Sequence, residues 1–147
     1  GQGVWSNGEE RVYRILDANL NRLREALRVV EEHFRFFDTD SGLSKQLKTM
    51  RHSLRSIEEG LDRTTLLRNR DTAGDPFAAG THAGECDRRR AGDILTANLR
   101  RAQEASRVIE EYVKLTGAGG HAERAKTIRF DLYALEKQLA GSHEHGA

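Results

Sequence analysis

The sequence lacks most of the features that would fix a fold by cross-links. It has one cysteine, Cys86, so neither an internal disulfide nor a multi-cysteine zinc site is available. It has one proline and only 6% aromatic residues, while 32% of its residues are charged. Lys and Arg number 24 against 23 Asp and Glu, which leaves no global field to attract nucleic acid or an anionic membrane.

Long apolar segments are lacking as well. No apolar run approaches the roughly 20 residues that a membrane-spanning helix needs, and the N-terminus carries no apolar core of a signal peptide. We therefore expect a soluble cytoplasmic protein with no membrane and no nucleic-acid partner. At 147 residues, the chain is long enough for one hydrophobic core.

What the sequence does contain is a repeat. The signature A-N-L-x-R-x-x-E-A-x-R-V-[VI]-E-E occurs once from Ala18 and again from Ala97. A second pair of segments also matches, since the K-T-M-R that ends at Arg51 returns as the K-T-I-R that ends at Arg129. The first pair is offset by 79 residues and the second by 78. The repeats cover about residues 9–61 and 88–139 within a single domain, and residues 64–85 link them.

Helical periodicity in both repeats predicts an all-α fold. Apolar residues recur three and four positions apart, as they do on one face of an amphipathic helix. A capping box at Ser6 and Glu9 begins the first helix, which extends to about Phe37. The second helix spans the stripe 43–61, the third begins at residue 87 or 88, the fourth spans 122–139, and residues 142–147 form a frayed tail. Each repeat is then an antiparallel helical hairpin, and two hairpins closing on each other form a four-helix bundle.

Polar residues set among small apolar residues are the first candidate site. On a helical wheel Arg22 lies among Ile15, Ala18 and Val29, and Arg101 lies in the same setting in the third helix. An arginine on such a face is paired with a carboxylate or available to an anion. The repeated side chains near these arginines are Asn19, Glu25 and Arg28 in the first repeat and Asn98, Glu104 and Arg107 in the second.

The linker is the second candidate site. The run R-D-T-A-G-D at 70–75 combines a guanidinium, two carboxylates and a hydroxyl. Guanidinium groups bind phosphate through two hydrogen bonds, and carboxylates bind Mg²⁺ together with water. Arg70 and Thr72 are therefore candidates for phosphate binding, and Asp71 and Asp75 for Mg²⁺. The same residue types are also common in ordinary turns.

These motifs together resemble a known family. The two signatures, K-x-x-R-H-x-L at 48–54 and R-D-T-A-G-D at 70–75 are similar to those of the ThiD2-type hydroxymethylpyrimidine phosphate kinase domain, which is often fused ahead of thiamine phosphate synthase. The resemblance covers residues 12–139. It implies a phosphomethylpyrimidine kinase that phosphorylates 4-amino-5-hydroxymethyl-2-methylpyrimidine phosphate with ATP and Mg²⁺ in thiamine biosynthesis. No synthase barrel follows here, so a separate thiamine phosphate synthase would receive the product. Ala73 stands where the family often has proline.

The helical wheel and the linker, rather than the family, supply the individual roles. Arg22, Arg101 and Arg70 would act on the transferred phosphate, with Glu25 and Glu104 as further catalytic groups. Asn19, Asn98, Arg28, Arg107 and Thr72 would bind the substrates. Because the repeat is twofold, we expect two phosphorylated ligands, one for each half.

Two other interpretations remain open. The chain is alternatively a non-catalytic binding or interaction module associated with thiamine phosphate synthase, which binds a ligand without releasing ADP. A bundle without a ligand is the third interpretation, because the i,i+3 pairs of Arg and Glu also occur as surface decoration. A homo-oligomer and a monomer are equally compatible with the sequence.

Overall fold

A computed structural model describes residues 7–37, 41–61 and 88–145 of the chain. These residues form four α-helices and one short 3-10 turn, which confirms the prediction of an all-α, four-helix fold. The elements are α1 (Asn7–Phe36), α2 (Ser41–Gly60), α3 (Arg88–Val113), the 3-10 turn (Gly119–His121) and α4 (Ala122–His145). None of the described helices is both long and apolar enough to cross a membrane.

The predicted apolar stripes form the core. In α1 the stripe from Leu16 to Phe34 is almost completely buried, and in α2 the stripe from Leu43 to Leu61 is buried as well. Leu95, Leu99 and Ile109 of α3 join them, as does the apolar side of α4, in a single cluster. Residues at this spacing fall on one side of a helix, so burying them requires neighbouring helices rather than any special loop.

The helices form a ring in which each one contacts two others. The most extensive contacts join α1 to α3 and α3 to α4, and α2 packs against both α1 and α4. Within each half the ion pairs show that the two helices are antiparallel. In the first half Arg24 pairs with Glu58, and Glu31, seven residues further along α1, pairs with Arg51, seven residues back along α2. In the second half Glu110, late in α3, pairs with Arg129, early in α4.

The end of α4 differs from the prediction. The frayed tail at 142–147 is wrong for residues 142–145, because α4 continues to His145. No proline follows Leu139, and a helix that is already nucleated extends at low cost in free energy. The Ser6 side of the capping box, residues 38–40 and the linker at 64–85 lie outside the described residues. The sequence also predicts a turn at 38–42, which is wrong for Ser41 and Gly42 because α2 begins at Ser41.

A close approach between Gly60 and His121 joins the end of α2 to the 3-10 turn. A Cβ added at Gly60 would lie 2.1 Å from His121 Nε2, whereas a Cβ at Gly92 would meet nothing within 4 Å. We therefore expect Gly60→Ala to lower the free energy of unfolding by at most about 1 kcal/mol, because Gly60 is exposed and the imidazole of His121 must turn away to admit the methyl group. Gly92→Ala, inside α3, should raise it by about 0.5–1 kcal/mol by reducing backbone entropy in the unfolded chain. Urea denaturation measures both, and equal effects at the two glycines would contradict this account.

Candidate functional site

Each half holds a buried asparagine that faces an exposed arginine. Asn19 Nδ2 donates a hydrogen bond to the Ile15 carbonyl oxygen at 2.8 Å, and Arg22 Nη1 donates to Asn19 Oδ1 at 3.4 Å. In α3, Asn98 Nδ2 donates to the Ile94 carbonyl oxygen at 2.8 Å, and Arg101 Nη1 lies 3.5 Å from Asn98 Oδ1. The asparagines are 5% and 6% exposed. Each amide oxygen therefore accepts from the arginine one turn later on the same helix.

The face around these arginines is only partly buried, and the arginines themselves are not. Arg22 and Arg101 are both exposed, Ala97 is exposed, and Ile94 is 54% exposed. The prediction of an arginine set into a buried apolar face is therefore wrong. The wheel gave the direction of each side chain correctly, but the described helices pack against the neighbouring stripe and leave this face at the edge of the bundle.

The described residues line a cavity of about 420 Å³ between α3 and α4 that is open to solvent, and four of its five lining residues are exposed. Two arginines, two other polar side chains on α3 and one aromatic ring on α4 form its wall. They are Arg100, Gln103, Glu104, Arg107 and Tyr133. A cavity of this volume suits a small molecule, and guanidinium groups at its wall suit an anionic one.

A buried ion pair supports the aromatic wall of the cavity. Arg129 donates two hydrogen bonds to Glu110 Oε1, from Nη2 at 2.9 Å and from Nε at 3.2 Å. The Arg129 guanidinium carbon lies 4.9 Å from the Phe130 ring centroid and 5.8 Å from that of Tyr133. Hydrogen bonds to Tyr133 and to Glu110 raise the pKa of Arg129. Arg129 thus links the core to Tyr133 and remains charged.

The first half has the equivalent ion pair, with its side chains more exposed to solvent. Arg51 Nε lies 2.6 Å from Glu31 Oε1, and these residues are the counterparts of Arg129 and Glu110. The side chains are 54% and 23% exposed, against 11% and 9% for Arg129 and Glu110. Burial raises the pKa of the Glu31 carboxyl, and the positive charges of Arg51 and Arg28 only partly oppose that effect.

The structure brings together only part of the predicted site. Glu104 and Arg107 share the cavity, and Arg107 also lies 3.5 Å from Glu111. In α1, Glu25 and Arg28 are exposed, and no ion pair joins Glu25 to a described residue. None of the four residues of the asparagine–arginine pairs is among the side chains that line the cavity.

The predicted site residues of the linker lie outside the described residues. They are Arg70, Asp71, Thr72 and Asp75. Among the residues that the structure does describe, no three His, Cys, Asp or Glu side chains are grouped as a metal site requires. The predicted magnesium ligands lie in the linker, so the Mg²⁺ site stays a prediction.

Sequence reasoning missed three of the five cavity residues. Arg100, Gln103 and Tyr133 differ from their counterparts in the first half, which are Asn21, Arg24 and Arg55. The predicted site consists of side chains that the two halves share, whereas the cavity is made largely of side chains that they do not share. The signal was present as differences between the repeats.

The fold and the cavity define an all-α helical domain with a small arginine-lined cavity. The model of the ThiD2 family matches residues 14–138, and the chain belongs to that family. No solved structure is significantly similar to the chain.

The curated relatives carry the name thiamine-phosphate synthase. The protein from Thermosynechococcus vestitus is 47% identical over 131 residues, which cover 88% of this chain and 36% of that protein. The protein from Nostoc punctiforme is 40% identical over 93% of this chain and 38% of its own length. The one from Rhodopirellula baltica is 40% identical over 92% of this chain and 37% of its own length. The chain therefore spans little more than a third of these relatives.

These names correct one expectation. The relatives are named thiamine-phosphate synthase rather than phosphomethylpyrimidine kinase, and the described residues form an all-α domain without a kinase fold. On this finding the prediction of a phosphomethylpyrimidine kinase is wrong. The connection with thiamine biosynthesis, which the resemblance also implied, is supported by the family and the relatives.

Proposed function

We propose that the chain is a non-catalytic ligand-binding module of thiamine biosynthesis. It holds 4-amino-5-hydroxymethyl-2-methylpyrimidine phosphate for a thiamine-phosphate synthase, in the cavity between α3 and α4. The observation that carries this proposal is the composition of the cavity wall, which places two arginines beside a carboxylate and an aromatic ring. The names of the relatives support the choice of pathway and of partner.

The wall matches the ligand group by group. Arg100 and Arg107 supply guanidinium donors, which bind phosphate through paired charge-assisted hydrogen bonds. Glu104 supplies an acceptor for the exocyclic amine of an aminopyrimidine. Tyr133, which is 43% exposed, offers an aromatic face to the flat ring. Two positive side chains neutralise the phosphate, so we expect binding without Mg²⁺, with ATP a weaker ligand than the pyrimidine phosphate.

Calorimetric titration with the pyrimidine phosphate tests the proposal. Loss of a charged hydrogen bond typically costs about 1.5–3 kcal/mol, so Arg107→Ala should weaken binding roughly 10- to 100-fold. Arg55→Ala is the matched control, since Arg55 is exposed and occupies in α2 the position that Tyr133 occupies in α4. We expect it to bind as the unchanged chain does.

A second measurement separates binding from turnover. The chain is incubated with ATP, Mg²⁺ and the pyrimidine phosphate, and ADP is assayed with and without the pyrimidine. We expect no ADP release that depends on the pyrimidine. Such release would overturn the non-catalytic role, and equal affinities for the Arg107→Ala and Arg55→Ala variants would overturn the cavity as the binding site.

A further inference from the structure

Gln103 lines the cavity with a buried amide that has no hydrogen-bond partner among the described residues. Its side chain lines the cavity, and the residue is 8% exposed. Its Nε2 is buried and has no hydrogen-bond partner among the described residues. A buried amide donor without an acceptor is unfavourable, because it has lost its water and gained no bond in return. A ligand that presents an acceptor at this point would remove that cost.

In the first half, an ion pair between α1 and α2 occupies the equivalent position. Arg24 is the counterpart of Gln103, and its Nη2 lies 2.5 Å from Glu58 Oε2 in α2. Arg24 Nη1 also donates to Asn21 Oδ1 at 2.5 Å. Asn21 is in turn the counterpart of Arg100 in the cavity wall. The guanidinium of Arg24 therefore bridges α1 and α2 at the place where the second half has its cavity.

The second half keeps the glutamate of this ion pair but has glutamine in place of the arginine. Glu136 is the counterpart of Glu58, and its Oε2 is buried with no hydrogen-bond partner among the described residues. With glutamine at 103, neither the amide nitrogen of Gln103 nor the Oε2 atom of Glu136 has a hydrogen-bond partner among the described residues. One half is closed by an ion pair, and the other is open.

A carboxamide recognises a particular chemical edge. Asparagine and glutamine donate from the amide nitrogen to a ring nitrogen and accept, at the oxygen, from a neighbouring amine, as they do at the edge of adenine. A 4-aminopyrimidine presents the same edge, an acceptor nitrogen beside an amine. The arginines at 100 and 107 lie in the same wall for an anionic group on the same ligand.

We infer that each chain binds a single ligand, in its second half only, and that Gln103 reads the aminopyrimidine edge of that ligand. The identity of the ligand as the pyrimidine phosphate rests on the proposed function. The inference about Gln103 applies equally to an adenine ring that carries a phosphate. The twofold repeat therefore does not give the two ligand sites that its sequence suggests.

Calorimetry with three variants tests this inference. The unchanged chain should bind the pyrimidine phosphate with a stoichiometry of one. Gln103→Arg should weaken binding more than tenfold and raise the thermal midpoint of unfolding, because it restores the ion pair with Glu136. Gln103→Leu removes the carboxamide at similar size and adds no guanidinium, so it should also weaken binding more than tenfold. Arg24→Gln, in the first half, should leave the affinity within about twofold.

The outcomes separate the two proposals when adenosine monophosphate is titrated in parallel. A stoichiometry of two, or Gln103 variants that bind as the unchanged chain does, would overturn the inference and leave the proposed function in place. Binding of adenosine monophosphate that depends on Gln103, without binding of the pyrimidine phosphate, would overturn the proposed function alone. If neither compound binds, both proposals are wrong.

Discussion

Replacing Arg129 by leucine should lower the free energy of unfolding by about 3–5 kcal/mol, because it leaves the Glu110 carboxylate charged and buried without a partner. The same replacement at Arg51 should cost less, about 1–2 kcal/mol, because the Arg51 side chain is largely exposed although the Glu31 Oε1 atom that it faces is buried. The two arginines occupy equivalent positions in the repeat and pair with equivalent glutamates. They differ in solvent exposure, which is 11% for the Arg129 side chain and 54% for that of Arg51.

Urea denaturation of both single variants measures this difference. The double variant Glu110→Leu/Arg129→Leu is the control, since removing both charges avoids the buried carboxylate and should recover most of the loss. A double variant that is as unstable as Arg129→Leu would show that packing, rather than charge burial, sets the cost. Equal losses at Arg51 and Arg129 would show that exposure does not separate the two pairs.

Truncating Leu23 to alanine should lower the free energy of unfolding by about 2–5 kcal/mol, since it leaves a cavity in a closely packed core. Leu23 is fully buried in α1, and its counterpart in α3 is already an alanine, Ala102, which is also fully buried. The two halves thus fill equivalent positions with different volumes. The core therefore relies on the larger side chain of the first half.

Leu115→Ala is the matched control for this measurement. Leu115 is 67% exposed, so its truncation should change the free energy of unfolding by less than about 0.5 kcal/mol. Both variants are compared by urea denaturation with a common slope. A loss below 1 kcal/mol for Leu23→Ala, on the scale of a surface change, would contradict the burial of Leu23 in the core.

The cavity changes how the repeated sequence is interpreted. Side chains shared by the two halves indicated a site in each half, around Arg22 and Arg101. In the structure these arginines are exposed, and the cavity forms where the halves differ, at Gln103 and Tyr133. A position kept in both copies serves a contact that both hairpins need, as the pairs at Glu31 and Glu110 do. A ligand site in one half only requires residues that differ between the two repeats.

The sequence by itself determined the helices, their antiparallel pairing within each half and the stripes that form the core. Helical hydrogen bonds and the three-and-four spacing of apolar residues are local, so they can be read from neighbouring positions. The order of the motifs along the chain also indicated the family, which the family model confirms. The correspondence of Arg51 with Arg129 was visible in the same way, as two equivalent arginines in matching segments.

Only the tertiary structure decided which of the equivalent side chains are buried. A wheel gives the direction of Arg22 or Arg101 on its own helix, but exposure depends on which neighbours the helix has and how closely they pack. Arg129 is enclosed because Phe130 and Tyr133 lie beside it on α4, whereas His52 and Arg55 stand at those positions in α2. The same long-range packing leaves Gln103 beside a cavity, while in the other half Arg24 reaches Glu58.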